Sequence, residues 1–248
     1  MVADDFPNIA HPGHPVIRAI RGRMRAGGRR PAGESPSSKL GLVVEGGGMR
    51  GVISGGALLA MDALGLAEAF DEVYAESAGA INGSYFLAGQ AVLGSRIYFE
   101  DIANARFINP LRVRRILDLD FLVDADPIPV RNAVANGCTH ILVLLTRPPA
   151  YRDRGFRGPL WLAARLPLGK KWNTGLVHAL LREKCNRYNA ARDLAFGSAR
   201  PERPASIAVI CPDGHSHGVA RLTRDSVRLR AALMASREQA VELFRGAG

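Results

Sequence analysis

The sequence predicts an α/β fold, and three observations carry that expectation. An apolar run at 39–45 stops at three consecutive glycines. A second short run at 72–76 stops at a serine set among small residues. Each run is followed at once by a small, apolar, helix-forming stretch. Strands and helices alternating in this order are joined by right-handed crossovers and lie parallel in one sheet.

Taken in order, residues 1–38 carry Pro, Gly, Ser and Arg with little periodicity. They read as a flexible basic N-terminal segment whose one helical candidate is 17–24. Residues 39–248 read as one domain, long enough to bury a core. Within it, 39–45 is a buried strand because its apolar run is short and ends in glycine. Residues 51–64 form a helix that ends before Gly65, 72–76 a strand, and 78–91 a second apolar helix. A short helix at 131–136 is closed by Gly137. The run at 139–146 is a buried strand ended by two prolines. Residues 176–196 form a helix, 206–211 a strand and 226–244 a last helix.

Thirty-three Lys and Arg outnumber 23 Asp and Glu, giving a net charge of +10. Such a balance favours phosphates, in nucleic acid or in anionic lipid headgroups. An even-weighted alternative is a general habit of an Arg- and Ala-rich chain. No zinc-finger or RNA-recognition pattern is present, so nucleic acid is not expected as a partner. In the basic stretch 151–172, arginines alternate with Phe156, Trp161 and Trp172. That mixture suits an anionic membrane surface, against the plainer reading of a solvated loop with its tryptophans turned inward. No apolar run reaches membrane-spanning length, and the acidic start has no signal-peptide character. The expected location is cytoplasmic, or peripheral to a membrane. Cys138, Cys185 and Cys211 have neither disulfide-framework nor metal-ligand spacing, so a reducing compartment and no metal are expected.

The chemistry lies in two motifs. Gly46, Gly47 and Gly48, followed by Arg50 and Gly51, present bare backbone at the head of a helix. Ester hydrolysis passes through a tetrahedral oxyanion, and each N–H aimed at that oxygen contributes about 2.7–4 kcal/mol. Glycine lets the main chain approach closely, and the helix start adds positive potential. Arg50 either holds the turn or adds charge beside it. The same residues fit a dinucleotide-type GxGxxG loop, but that pattern alone is weak and its acidic partner is missing. Ser77 stands in Ala75-Glu76-Ser77-Ala78-Gly79. This is nearly the G-x-S-x-G nucleophile elbow, with alanine in place of the first glycine. The rival role for Ser77 is an ordinary helix N-cap.

These residues resemble the patatin-like phospholipase family. The 46–51 segment looks like its oxyanion motif and the 77–83 segment like its elbow. AspProIleProVal at 126–130 and HisIleLeuValLeuLeuThrArgPro at 140–148 also resemble it, over about 40–245 of the chain. The resemblance implies a three-layer α/β/α fold and a Ser–Asp dyad acting on lipid acyl esters, with no histidine, metal or cofactor. One feature departs from the family. Its aspartate lies in an Asp-Gly-Gly or Asp-Gly-Ala turn shortly before the ProIlePro segment, and here that stretch reads PheLeuValAspAlaAspProIlePro. One crossover unit takes about 30 residues, so little more than one fits between Ser77 and Asp124, and the sheet reads as incomplete. Asp124 is the nearest stand-in for the base, with Asp126 second. Asp213 precedes Gly214 but reads as a surface turn. A triad of Ser77, Asp126 and His215, with His217 nearby, is the rival arrangement. The sequence therefore points to a lipid acyl hydrolase of weak or no turnover. The alternative is a non-catalytic, truncated relative that binds lipid or a partner chain, since lost strands leave unpaired edges.

Overall fold

The computed structural model describes residues 6–103, 128–154, 174–213 and 218–245. Four strands form the sheet: β1 (Leu40–Val44), β2 (Glu72–Ala75), β3 (His140–Leu144) and β4 (Ser206–Ile210). Their order is β2-β1-β3-β4, and every pairing is parallel. Leu42 stands between Val73 and Leu142, and Leu142 in turn beside Ala208.

Side chains alternate across the sheet. Leu40, Leu42, Val44, Leu142, Leu144, Ala208 and Ile210 pack into one cluster with α1 (Pro15–Arg25), α2 (Gly51–Ala63), Phe86 of α3 (Ala78–Leu87) and α7 (Ser226–Arg245). Val43, Ile141, Val143, Ile207 and Val209 pack with α5 (Val130–Ala135) and α6 (Thr174–Ala195). A parallel sheet covered on both faces needs apolar residues at consecutive positions, and β1 is buried along its whole length. The result is the three-layer α/β/α arrangement that the sequence implied.

Two parts differ from expectation. Residues 6–25, read as lead-in, instead carry part of the core. His14 Nδ1 accepts from Val16 N at 3.2 Å to cap α1, and Pro15 occupies its start. Val16, Ile17 and Ile20 are fully buried. Arg23, 2 % exposed, donates to Glu34, Asp71 and the Ala69 carbonyl. Ala10 N donates to Val209 O at 2.9 Å, so the chain runs beside the outer edge of β4. Arg21 Nη2 donates to Leu243 O at 2.7 Å, tying α1 to the last turn of α7.

The single helix expected at 78–91 is two. Gly89, at φ 66°, turns the chain after α3, and α4 (Ala91–Glu100) begins. A side chain at Gly94 would stand 2.5 Å from the Tyr85 ring, so α3 and α4 press together at a glycine. Asp124, Asp126, Trp161, Trp172, His215 and His217 lie outside the described residues.

Candidate active site

The C-terminal ends of the strands share one edge of the sheet. The chain leaves β1 for β2 on one side and later returns to β3 on the other. In open α/β sheets the crevice at such a reversal is where ligands sit. The glycine turn leaves β1 at this edge, and Ser77 leaves β2 beside it.

Ser77 has φ 52° and ψ −123°, and no other non-glycine among the described residues has positive φ. A non-glycine residue there is strained by about 1–3 kcal/mol. The turn is tight: Gly79 N donates to Glu76 O at 2.8 Å and Ala80 N to Ser77 O at 3.0 Å. Ser77 makes no side-chain capping bond to α3, so the N-cap role does not account for it. Its side chain is exposed.

Glycine permits the close approach of the two strand ends. A Cβ on Gly46 would lie 3.1 Å from Ser77 Cβ and 2.8 Å from Glu76 O. A Cβ on Gly79 would lie 2.6 Å from Val44 O. Ala75, in the place of the motif's first glycine, stands in register with Val44 of β1.

Gly46 and Gly47 are buried, and Gly48 is exposed at φ +59°. A short 3-10 turn, Gly48–Arg50, leads into α2. Met49 N donates to Arg221 O at 3.1 Å. Among the described residues, the N–H groups of Gly47 and Gly48 meet no backbone carbonyl acceptor. Gly51 meets Ala78 at the head of α3, where a Cβ would be 2.8 Å from Ala78 Cβ. Asn82 fastens the junction: its Nδ2 donates to Gly51 O at 2.7 Å and to Ser54 Oγ at 3.2 Å, and its Oδ1 accepts from Tyr98 OH at 3.1 Å.

Beneath the turn lies a buried carboxyl group. Glu45, 1 % exposed, accepts from Thr146 N and, at 2.8 Å, from Thr146 Oγ1. Thr146 Oγ1 accepts in turn from Arg50 Nε at 3.4 Å. Burial pushes the Glu45 carboxyl up, against the Thr146 N–H and the Arg50 charge. Burial and the neighbouring Arg147 lower Arg50 to about 10, which leaves it charged at neutral pH. Arg50 thus lies under the glycine turn rather than across it.

Of the sequence candidates, the structure brings together Ser77, Gly46, Gly47, Gly48, Arg50 and Gly51. Asp124 falls outside the described residues. Asp213 follows β4, which lies at the opposite end of the strand order from β2. It lines a cleft with Ile53, Pro212, Ser236 and Gln239. Among the described residues, no group of three His, Cys, Asp or Glu could hold a metal ion, and no helix is long and apolar enough to cross a membrane.

Glu45, Thr146, Asn82 and Arg221 were not singled out from the sequence. Glu45 carried a signal, as a lone acid closing an apolar strand. Arg221 carried none, being one of 33 basic residues.

The model of the patatin-like phospholipase family matches residues 42–237. No curated protein and no solved structure matches.

Proposed function

The chain belongs to the patatin-like phospholipase family, and from that premise we propose that it is a lipid acyl hydrolase with Ser77 as nucleophile. The observation that carries this reading is the backbone of Ser77, at φ 52° and ψ −123° on a strand-to-helix turn against Gly46. A serine held so presents its hydroxyl clear of both elements, as an attacking group requires.

In the proposed reaction Ser77 Oγ attacks the ester carbonyl carbon and the C–O double bond becomes an oxyanion. The N–H groups of Gly47 and Gly48 receive that charge, and the nearby start of α2 adds to the positive potential. The serine proton passes to an aspartate, for which Asp124 is proposed. The oxyanion collapses, the aspartate returns the proton to the leaving alcohol, and water, deprotonated by the same aspartate, then releases the acyl group as a free acid while Ser77 Oγ recovers its proton. Arg50, Thr146 and Glu45 support the turn from below. The basic 151–172 segment is proposed to meet the lipid surface.

A second reading is a non-catalytic relative that binds lipid or a partner chain. It is favoured by the lack of an Asp-Gly-Gly turn before Pro127, since a serine hydroxyl is a poor nucleophile without a positioned base. One experiment separates the two. The folded protein is treated with a fluorophosphonate probe and, in parallel, with a short-chain ester. Labelling and turnover that both vanish in Ser77→Ala support the hydrolase, and loss of turnover in Asp124→Asn assigns the base. Labelling without turnover supports the second reading. Labelling that persists in Ser77→Ala overturns the role of Ser77.

A further inference from the structure

We propose that the outer edge of β2, with the adjoining side of α3, is the contact through which two copies of this chain pair, joining their sheets edge to edge about a twofold axis. The inference goes beyond the hydrolase reading and does not rest on it.

The two edges of the sheet differ. Residues 8–10 cover the outer edge of β4, where Val209 N donates to Asn8 O at 2.7 Å and Ala10 N to Val209 O at 2.9 Å. Among the described residues, no backbone bond covers the outer edge of β2 in this way. The register shows which of its peptide groups are left open. Glu45 N donates to Leu144 O, so Gly41 and Val43 turn their peptide groups to β3, and Leu42 and Val44 turn theirs to β2. Leu42 stands beside Val73, and Val44 beside Ala75. In a parallel ladder such a residue bonds to the two neighbours of its partner. Val73 and Ala75 therefore aim their own N–H and C=O groups away from the sheet. An open row of this kind is a template for another strand.

α3 borders the same edge. Gly83 faces Val73 and Ala75 of β2, Gly79 faces the end of β1, and Phe86 lies in the core. Asn82 and Tyr85 face α2 and α4. With 3.6 residues per turn, Ala80, Ser84 and Leu87 fall on the side away from α2, above the open edge. Ser84 Oγ turns back to donate to Ala80 O at 2.9 Å, and Leu87 is 56 % exposed. Val92 and Leu93, exposed at the head of α4, continue the apolar surface past Gly89.

The charge of this surface fits a second copy. No charged residue occurs from 77 to 95, in a chain whose net charge is +10. The charges at its rim are closed in pairs, Lys39 with Glu72 and Arg96 with Glu100. Glu76, at the end of the strand, turns in against Gly46. Two such chains repel one another through their basic surfaces, and here they meet with no unpaired charge to bury. An anionic membrane would be drawn to the arginines instead.

With Tyr74 on the axis and the strands antiparallel, Val73 of one copy stands opposite Ala75 of the other. Their open groups then close four hydrogen bonds, two for each such pair. The two Tyr74 side chains form an aromatic cross-strand pair on one face of the sheet. On the other face, the small Ala80 and Ser84 let the two α3 helices approach. The two Ser77 residues fall on opposite sides of the axis.

The test is sedimentation velocity of the full chain over a range of concentrations, with amide hydrogen exchange read by NMR at both ends of that range. A dimer is expected, and the Val73 and Ala75 amides should exchange more slowly as it forms. Leu87→Glu should raise the dimer dissociation constant about a hundredfold, since each copy loses one buried apolar side chain. It should also return both amides to fast exchange. Val227→Glu, a change at an exposed apolar residue of α7, should leave the dimer unaltered. Thermal melts show that both variants are folded. A chain that stays monomeric, a dimer whose Val73 and Ala75 amides remain fast, or a dimer indifferent to Leu87→Glu overturns the proposal. So does a monomer that co-sediments with phosphatidylcholine vesicles through Leu87, which would give this surface to lipid. Ser77→Ala should pair as the unaltered chain does, so a failure of hydrolysis leaves this result readable.

Discussion

Glu45 and Thr146 clasp the ends of β1 and β3: one carboxylate receives both the backbone N–H and the hydroxyl of the threonine. The clasp sits where the strand order reverses, directly under the glycine turn.

Removing that carboxylate strands a buried Arg50 charge and a buried Thr146 N–H. Glu45→Ala should therefore cost about 3–5 kcal/mol, read as a lower urea midpoint with little change in slope. Glu45→Gln keeps an acceptor for the Thr146 N–H and should cost less than Glu45→Ala. Equal losses for the two would show that the charge, not the hydrogen bond, is what matters.

Ser77 is held in a conformation that suits glycine better than serine. Ser77→Gly should raise stability by about 1 kcal/mol through relief of strain, less the backbone freedom that glycine brings to the unfolded chain. A rise in melting temperature of about 2–4 °C corresponds to that gain. Probe labelling should disappear in the same variant. A lower melting temperature would show that the turn is not strained.

Asn82 joins α2, α3 and α4 through one amide. Asn82→Ala leaves the buried Tyr98 OH short of a partner, while Gly51 O keeps the Ser54 hydroxyl, at a cost of about 1–3 kcal/mol. It should also slow labelling of Ser77, because Gly51 and Ala78 are in contact at that junction. Asn82→Asp, which keeps an acceptor for Tyr98 but loses the donor to Gly51 O, separates the two bonds.

The Arg23 cluster predicts a loss of stability in acid. The Arg23 hydrogen bond holds the Glu34 carboxyl below its ordinary range. Asp71 is also lowered: burial raises it, but the Leu40 N–H and Arg23 outweigh that. Native carboxyls that bind protons less readily than unfolded ones lend stability above the unfolded value near pH 4. That stability is lost as pH falls through the lower native values. Asp71→Asn, which still accepts from Leu40 N, should give a flatter acid limb in urea midpoints between about pH 5 and pH 2. An unchanged limb would place the acid sensitivity elsewhere.

Much of this architecture was legible because local signals agree with the fold. The apolar runs of β1, β3 and β4 stop at glycines or prolines, and each strand lies where its run does. The pairing of the glycine turn with Ser77 was legible because both follow strand ends. The break at Gly89 was hidden inside a run of small and apolar residues that reads as one helix. The burial of α1 was hidden by its charge. A helix with Arg21, Arg23 and Arg25 reads as solvated, and nothing local shows that Glu34 and Asp71 will meet Arg23. Glu45 and Thr146 were hidden for the same reason, as partners joined only once β1 and β3 lie side by side.

The placement of α1 has a consequence for how the molecule is made. Its Arg21 is bound to the carbonyls of Leu243 and Phe244, and the stretch ahead of it lies along Val209. Residues that leave the ribosome early thus have partners that emerge late. Contacts so distant in sequence carry a large loop-closure cost and form slowly. Until residues 206–245 have been synthesised, Val16, Ile17 and Ile20 have only part of their apolar cover, so a nascent chain passes through a stage in which this helix must be shielded from other chains.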